Sequence, residues 1–294
     1  MRKKVIASTT QQGWRESPHV SYIYEADVTD FYEEYKRLNS SGNYPAHISL
    51  NTLLMSVIVE GIKAAPQINA HIRYNPFLVS GRIAIKEEIN INMPFLLDGG
   101  EMITINLRNF ESKTLAEMTE YINRINDKIS NTNSELALLD VGLHDTVKQL
   151  KQLRLLKVAG RLTGLIISRK NAYKFLKSEK RAHSAMAHDK KLAINDLNQG
   201  TITVSNLGAA VKGTKGFVGI LDIVPPQVCV VGIGAMQEKP GVYYAEDKSQ
   251  QIGIRKIIPF TIAFDHRALD FGDIAPFINK LESIFTSPSV IHTW

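Results

Sequence analysis

Apolar and polar side chains alternate from Val20 to Val28, the two-residue period of a half-buried strand. Thr29 or Asp30 then caps a helix to about Leu38, with Phe31, Tyr35 and Leu38 at helical spacing. Asn39–Pro45 reads as a loop. A longer helix follows over Thr52–Ala65, with Leu53, Leu54, Val57, Ile58, Gly61 and Ile62 as its stripe and Pro66 as its stop. Leu78–Asn92 carries two short β runs, Asp98-Gly99-Gly100 a turn, Glu101–Leu107 a strand and Ser112–Ile125 an amphipathic helix. Beyond a less regular stretch come strands at Thr201–Asn206, Val228–Ile233, Val242–Tyr244 and Gln251–Phe264. Leu207–Gly219, rich in glycine, reads as a loop or loose hairpin. A last helical stripe is formed by Ile274, Phe277, Ile278, Leu281, Ile284 and Phe285. The ends, Arg2–Arg15 and Ser287–Trp294, read as a polar arm and a surface tail.

The stretch from Asn126 to Asn195 breaks this rhythm. Val147–Leu156 and Tyr173–Leu176 look helical, Leu155–Ile167 is apolar with Lys157 and Arg161 interspersed, and basic residues are dense from Lys148 to Lys191. It reads as a helical cap, as a surface for a neighbouring subunit, or as a basic amphipathic element for membrane contact over 148–191. The first two are preferred.

Composition narrows the field. A chain of 294 residues with 44% hydrophobic and 22% charged residues is ordinary for a globular protein with a sizeable core. The net charge of +6 suits an anionic ligand without demanding one, and no basic face interleaved with aromatics suggests nucleic acid. The single cysteine, Cys229, excludes an intrachain disulfide and a cysteine-rich metal site; its apolar setting marks it as a small buried hydrophobe. No apolar run approaches the about 20 residues that span a bilayer, and no secretory signal follows the basic start. The expected location is cytoplasmic.

The candidate chemistry lies in Thr261–Asp273, TIAFDHRALDFGD. His266 stands just past a strand end, where a neutral imidazole can take a proton from a thiol or hydroxyl. Asp270, four residues on, can orient His266 or hold the loop through Arg267. By spacing alone the pair reads more readily as a loop histidine beside a helix-capping aspartate.

FDHRALDFGDIAPFI resembles the C-terminal signature of the 2-oxoacid dehydrogenase acyltransferase (E2) catalytic domain and, more distantly, of chloramphenicol acetyltransferase. Gly200–Gly208 (GTITVSNLG), Ile223–Gly234 (IVPPQVCVVGIG), Pro18–Leu38 and Ile48–Ala70 are similar to further motifs of that family, in family order. The resemblance implies an α/β (α+β) chloramphenicol acetyltransferase-like fold, with a mixed sheet flanked by helices. It implies one catalytic domain over 1–294, and the chain is expected to depart from the family in a helical insertion at about 126–195 and in having no lipoyl or peripheral-subunit-binding domain. It also implies an acyltransferase that moves an acyl group between coenzyme A and a dihydrolipoyl-type thiol or another small acceptor, with CoA or acyl-CoA as substrate and no prosthetic group or metal. His266 would be the base, its ring fixed at Nδ1. Ser205 would donate to the oxyanion, although alone it reads as a strand serine satisfied by backbone. Asp270 would brace the loop, and Arg2 would pair with the aspartate of the histidine motif. His71 reads as structural, and Asn206 as a turn residue.

The family is trimeric with sites between subunits, so a homotrimer or an assembly of trimers is expected, served by a separate lipoyl carrier protein. Phe271 departs from the pattern: the family has glycine there. Either that loop is relaxed or Phe271 reshapes the pocket. The rival reading is a non-catalytic E2-like scaffold or assembly protein. A carrier-protein condensation enzyme is a third reading, weakened because position 265 is Asp where that family has a second histidine.

Overall fold

In a computed structural model of the chain, which describes residues 2–97, 102–151, 177–187, 189–210, 215–245 and 247–294, the axis of the molecule is one long strand, β9 (Gln250–Asp265). Its apolar second half needs cover on both faces, and residues 258–265 are buried. Strand β1 (His19–Asp27) runs antiparallel along one edge of β9, with His19 opposite Asp265. Along the other edge lie β7 (Cys229–Ile233) and then β8 (Gln237–Tyr244), end to end. Strand β6 (Ile202–Asn206) is parallel to β7, β4 (Ile91–Leu96) is parallel to β6, and β5 (Met102–Leu107) is antiparallel to β4. The mixed seven-stranded sheet therefore reads β1-β9-β7-β6-β4-β5, with β8 beside β9. A separate hairpin pairs β2 (Ala70–Asn75) with β3 (Ser80–Ile85).

Helices α2 (Thr29–Ser40), α3 (Leu50–Ala64), α4 (Leu115–Asn131) and α9 (Phe271–Thr286) share one core with the sheet. Each starts where the chain offers its free amides a partner. Ser49 Oγ accepts from Thr52 N at 3.0 Å, and Thr114 with Glu117 forms a capping box. Helices α3 and α9 lie close because position 61 is glycine; a Cβ there would meet Leu281 at 2.5 Å.

The ends of the chain differ from the sequence expectation. Arg2–Glu16 is a helix, α1, not an arm. It docks through Gly13, where a Cβ would sit 2.5 Å from the Ile223 carbonyl, and through Trp14 stacked on His19 at 4.9 Å. Most of its described residues stay solvated, so no apolar stripe announces it. The side chain of Arg2 lies outside the described residues, as does the turn at 98–100. Pro288–Thr293 forms a 3-10 turn that anchors the tail by burying Ile291 completely, while Ser287, Ser289, His292 and Thr293 stay exposed as the surface reading expects. The stretch at Leu207–Gly219 begins with one helical turn, α8 (Leu207–Ala210).

Within the expected insertion, α5 (Ser134–Lys151), α6 (Lys177–Ala185) and α7 (Ile194–Leu197) pack on the chain itself. His183 meets Asp140 at 3.1 Å, Lys191 donates to the His183 carbonyl at 2.6 Å, and Lys128 of α4 pairs with Asp196 at 3.1 Å. The expectations for 152–176 lie outside the described residues. No helix among the described residues is long and apolar enough to cross a membrane.

Candidate functional site

Strand β9 ends in a tight turn that presents His266. Asp265 N donates to Val228 O at 2.8 Å and His266 N to Pro18 O at 3.0 Å. The Asp265 carbonyl then accepts from Ala268 N at 2.9 Å and Leu269 N at 3.1 Å, folding the chain back. His266 Nδ1 lies 2.9 Å from Leu269 O. A carbonyl only accepts, so Nδ1 carries a proton, and in the neutral ring Nε2 is then the nitrogen with the lone pair. The residue is exposed, and Nε2 has no partner among the described residues. This is the arrangement a general base requires: one nitrogen spent on orientation, the other free.

The turn is braced from beneath. Asp265 is fully buried and takes the Arg267 guanidinium on both oxygens, from Nε at 3.0 Å and from NH2 at 2.6 Å. Its Oδ1 also accepts the Arg267 amide at 3.0 Å. The carboxylate raises the Arg267 pKa, mainly through these hydrogen bonds. The resemblance paired the aspartate of the histidine motif with Arg2; here the described partner of Asp265 is Arg267, two residues on. The signal was there in the contiguous Asp-His-Arg, but its meaning depends on where β9 ends.

Asp270 spends its carboxylate on α9. Its Oδ1 accepts from Gly272 N at 2.8 Å and Asp273 N at 3.3 Å, and Asp273 answers by accepting from Asp270 N at 3.0 Å. Thus Leu269, not Asp270, orients His266, and Asp265, not Asp270, holds Arg267. Phe271 is the first helical residue of α9, half exposed, and is absent from the positive-φ residues, which among those described and other than glycine are Val79, Asn109 and Lys248. A side chain is accommodated there without backbone strain.

Ser205 lies on β6, nearly buried, and its hydroxyl has no hydrogen-bond partner among the described residues. A strand serine satisfied by backbone is therefore not what the structure contains. The sheet register places it far from His266 within one chain. Ser205 is level with Gly232, Gly232 with Thr261, and His266 is five residues further along β9. At ~3.3 Å per residue and ~4.8 Å per strand spacing, the backbones are about 19 Å apart.

Asn206 Nδ2 donates to Asn51 Oδ1 at 2.7 Å, and its own Oδ1 accepts from Ala209 N at 3.0 Å, capping α8. The Asn51–Asn206 pair lines a cavity of about 320 Å³ with Met93, Phe95, Ile122 and Asn126. His71 is tied into the fold at 3.4 Å from Gly200 O, and burial, then Lys86, lowers its pKa. Cys229 is fully buried, which pushes its thiol up to about 12 and leaves it inert at neutral pH.

Over residues 1–139 and 167–293 the chain matches the 2-oxoacid dehydrogenases acyltransferase (catalytic domain) family. It belongs to that family. The internal gap in the match, 140–166, falls inside the stretch at 126–195. The chain is 21% identical over 284 residues to the Haemophilus influenzae dihydrolipoyllysine-residue acetyltransferase component of the pyruvate dehydrogenase complex, covering 96% of this chain and 37% of that protein. It is 24% identical over 292 residues to the Pseudomonas putida lipoamide acyltransferase component of the branched-chain alpha-keto acid dehydrogenase complex, covering 99% of this chain and 52% of that protein. The chain thus spans about a third to a half of these relatives.

The fold is that of solved E2 structures. A probable dihydrolipoamide acetyltransferase from Listeria monocytogenes superposes with a TM-score of 0.60 at 17% identity, covering 97% of this chain and 92% of that one. A dihydrolipoamide acetyltransferase from Azotobacter vinelandii, solved in a study of a serine, a histidine and an asparagine in its catalytic mechanism, gives 0.59 at 16% identity, covering 99% and 90%. The mixed sheet flanked by helices that the sequence led us to expect is the architecture found.

Proposed function

We propose that this member of the family is an acyltransferase acting between coenzyme A and a dihydrolipoyl thiol, at a site completed by two subunits. The observation that carries the reading is His266, with Nδ1 held by Leu269 and Nε2 facing solvent without a partner among the described residues. Ser205 supports it with an uncommitted hydroxyl on a rigid strand. Their separation supports a histidine from one protomer meeting a serine from the next.

The chemistry follows from these two groups. Nε2 takes the proton of the acceptor thiol, and the thiolate attacks the thioester carbonyl of acyl-CoA. Charge that develops on the carbonyl oxygen is met by the Ser205 hydroxyl. The tetrahedral intermediate collapses, the bond to the CoA sulfur breaks, and the departing thiolate recovers the proton from the imidazolium. Asp265, Arg267 and Leu269 keep the base oriented throughout.

Exposed apolar side chains fit an assembly. On the β8–β9 hairpin Val242 faces Ile252, while Tyr244 and Ile254 extend the same face; all four are more than 60% exposed. Four large apolar side chains on one outer face suit burial against another copy. Replacing Ile252 and Ile254 together by aspartate is expected to yield monomers that are folded and inactive. Sedimentation with circular dichroism checks this; an unchanged assembly would remove the hairpin from the interface.

The function is tested by release of free CoA thiol from acetyl-CoA and longer acyl-CoAs with dihydrolipoamide as acceptor. Acceptor-dependent release is expected. Its absence with every acyl-CoA and thiol would favour the scaffold reading.

A further inference from the structure

A row of apolar side chains begins beside the base. The ring of Phe264 lies 6.0 Å from that of His266, edge to face. Val20 is opposite Phe264 in the β1–β9 ladder, and Tyr22 follows Val20 on the same face of β1. The Tyr22 ring meets Phe271 edge to face at 5.1 Å. Phe264 itself is buried, but Val20 is 36%, Tyr22 40% and Phe271 50% exposed, so these three open an apolar row to solvent on the face of the sheet whose buried Phe264 adjoins the imidazole. The row is also held in place. Leu269, whose carbonyl orients His266, stands two residues before Phe271, and the Asp270 cap fixes the residue between them.

We propose that Phe271 and Tyr22 form a wall that binds the hydrocarbon part of the transferred acyl group and favours chains longer than acetyl. The inference rests on the reading of His266 as the base, because the reacting carbonyl must then sit within reach of Nε2. From that point an acetyl group ends at one methyl, whereas a longer chain continues along the rings of Tyr22 and Phe271. Apolar surface removed from water on both partners drives the contact. Glycine at position 271 would leave the Tyr22 face without its partner, so the wall is a property of this chain's own residues.

Isothermal titration of the native assembly with acetyl-CoA and octanoyl-CoA, repeated on Phe271→Ala and Tyr22→Leu, tests the wall. The native protein is expected to bind octanoyl-CoA about tenfold or more tighter than acetyl-CoA. That ratio is expected to fall to about twofold or less in each variant that keeps the native assembly size. A native protein without preference for octanoyl-CoA, or a preference intact in both variants, overturns the proposal. So does a variant whose only change is loss of the assembly, since the row would then be subunit contact. Binding needs no proton transfer. A preference that both variants lose, in a protein that turns nothing over, would therefore leave the wall standing and remove the base.

Discussion

Replacing His266 with alanine is expected to lower turnover by about two to four orders of magnitude while CoA binding stays near native. The imidazole does not hold the fold together. It is exposed, its single described hydrogen bond is to Leu269 O, and the turn beneath it is closed by backbone bonds and by the Asp265–Arg267 pair. Removing it should therefore separate chemistry from structure. Thiol-release kinetics with a parallel thermal melt measure both. Turnover within a few-fold of native in a well-folded variant would mean that the thiol proton leaves by another route.

The second large effect is expected at Asp265, which no reading of the letters alone made part of the site. Its side chain is fully buried, and Asp265→Ala removes the acceptor for Arg267 Nε, Arg267 NH2 and the Arg267 amide at one stroke. Breaking a buried pair by deleting one partner costs about 3–5 kcal/mol. The Arg267 side chain is 23% exposed and can recover some hydration, so the lower end of that range, about 3 kcal/mol, is expected. The loss reaches the base because the Asp265 side chain also holds the Arg267 amide at 3.0 Å, inside the turn whose Leu269 carbonyl orients His266. Turnover should fall with stability, and Asp265→Asn, which keeps the volume and one acceptor oxygen, should recover part of both. Urea denaturation and thiol release would show it. An alanine variant as stable and as active as the native chain would leave the ion pair without a part in holding the turn.

Much of this was legible in the sequence because it is local. The apolar run into Asp265-His266-Arg267 is contiguous, and the stripe from Ile274 to Phe285 is regular, so the β9–turn–α9 unit could be drawn from its letters. The role of Asp270 was only half legible. Its spacing from His266 permits an orienting contact, yet the free amides at the start of α9 claim its oxygens first. Helix α1 left little trace because it touches the fold mainly through Gly13 and Trp14. That His266 and Ser205 need not be close within one chain was implied by the family resemblance alone, since the letters give no distance between them. That distance follows from two strand registers, and register is set by packing across the sheet. The unstrained Phe271 is similar: only the helical backbone at its position shows that glycine is dispensable there.

If one subunit's His266 works with its neighbour's Ser205, assemblies mixed from two inactive variants regain activity. His266→Ala and Ser205→Ala should each be nearly inactive alone, the serine variant by about two to three orders of magnitude. In a trimer that contains both, one of the three interfaces joins an intact histidine to an intact serine. Random one-to-one mixing during co-expression should then restore about a quarter of native turnover. Mixed assemblies that remain as inactive as either variant alone would contradict the shared site.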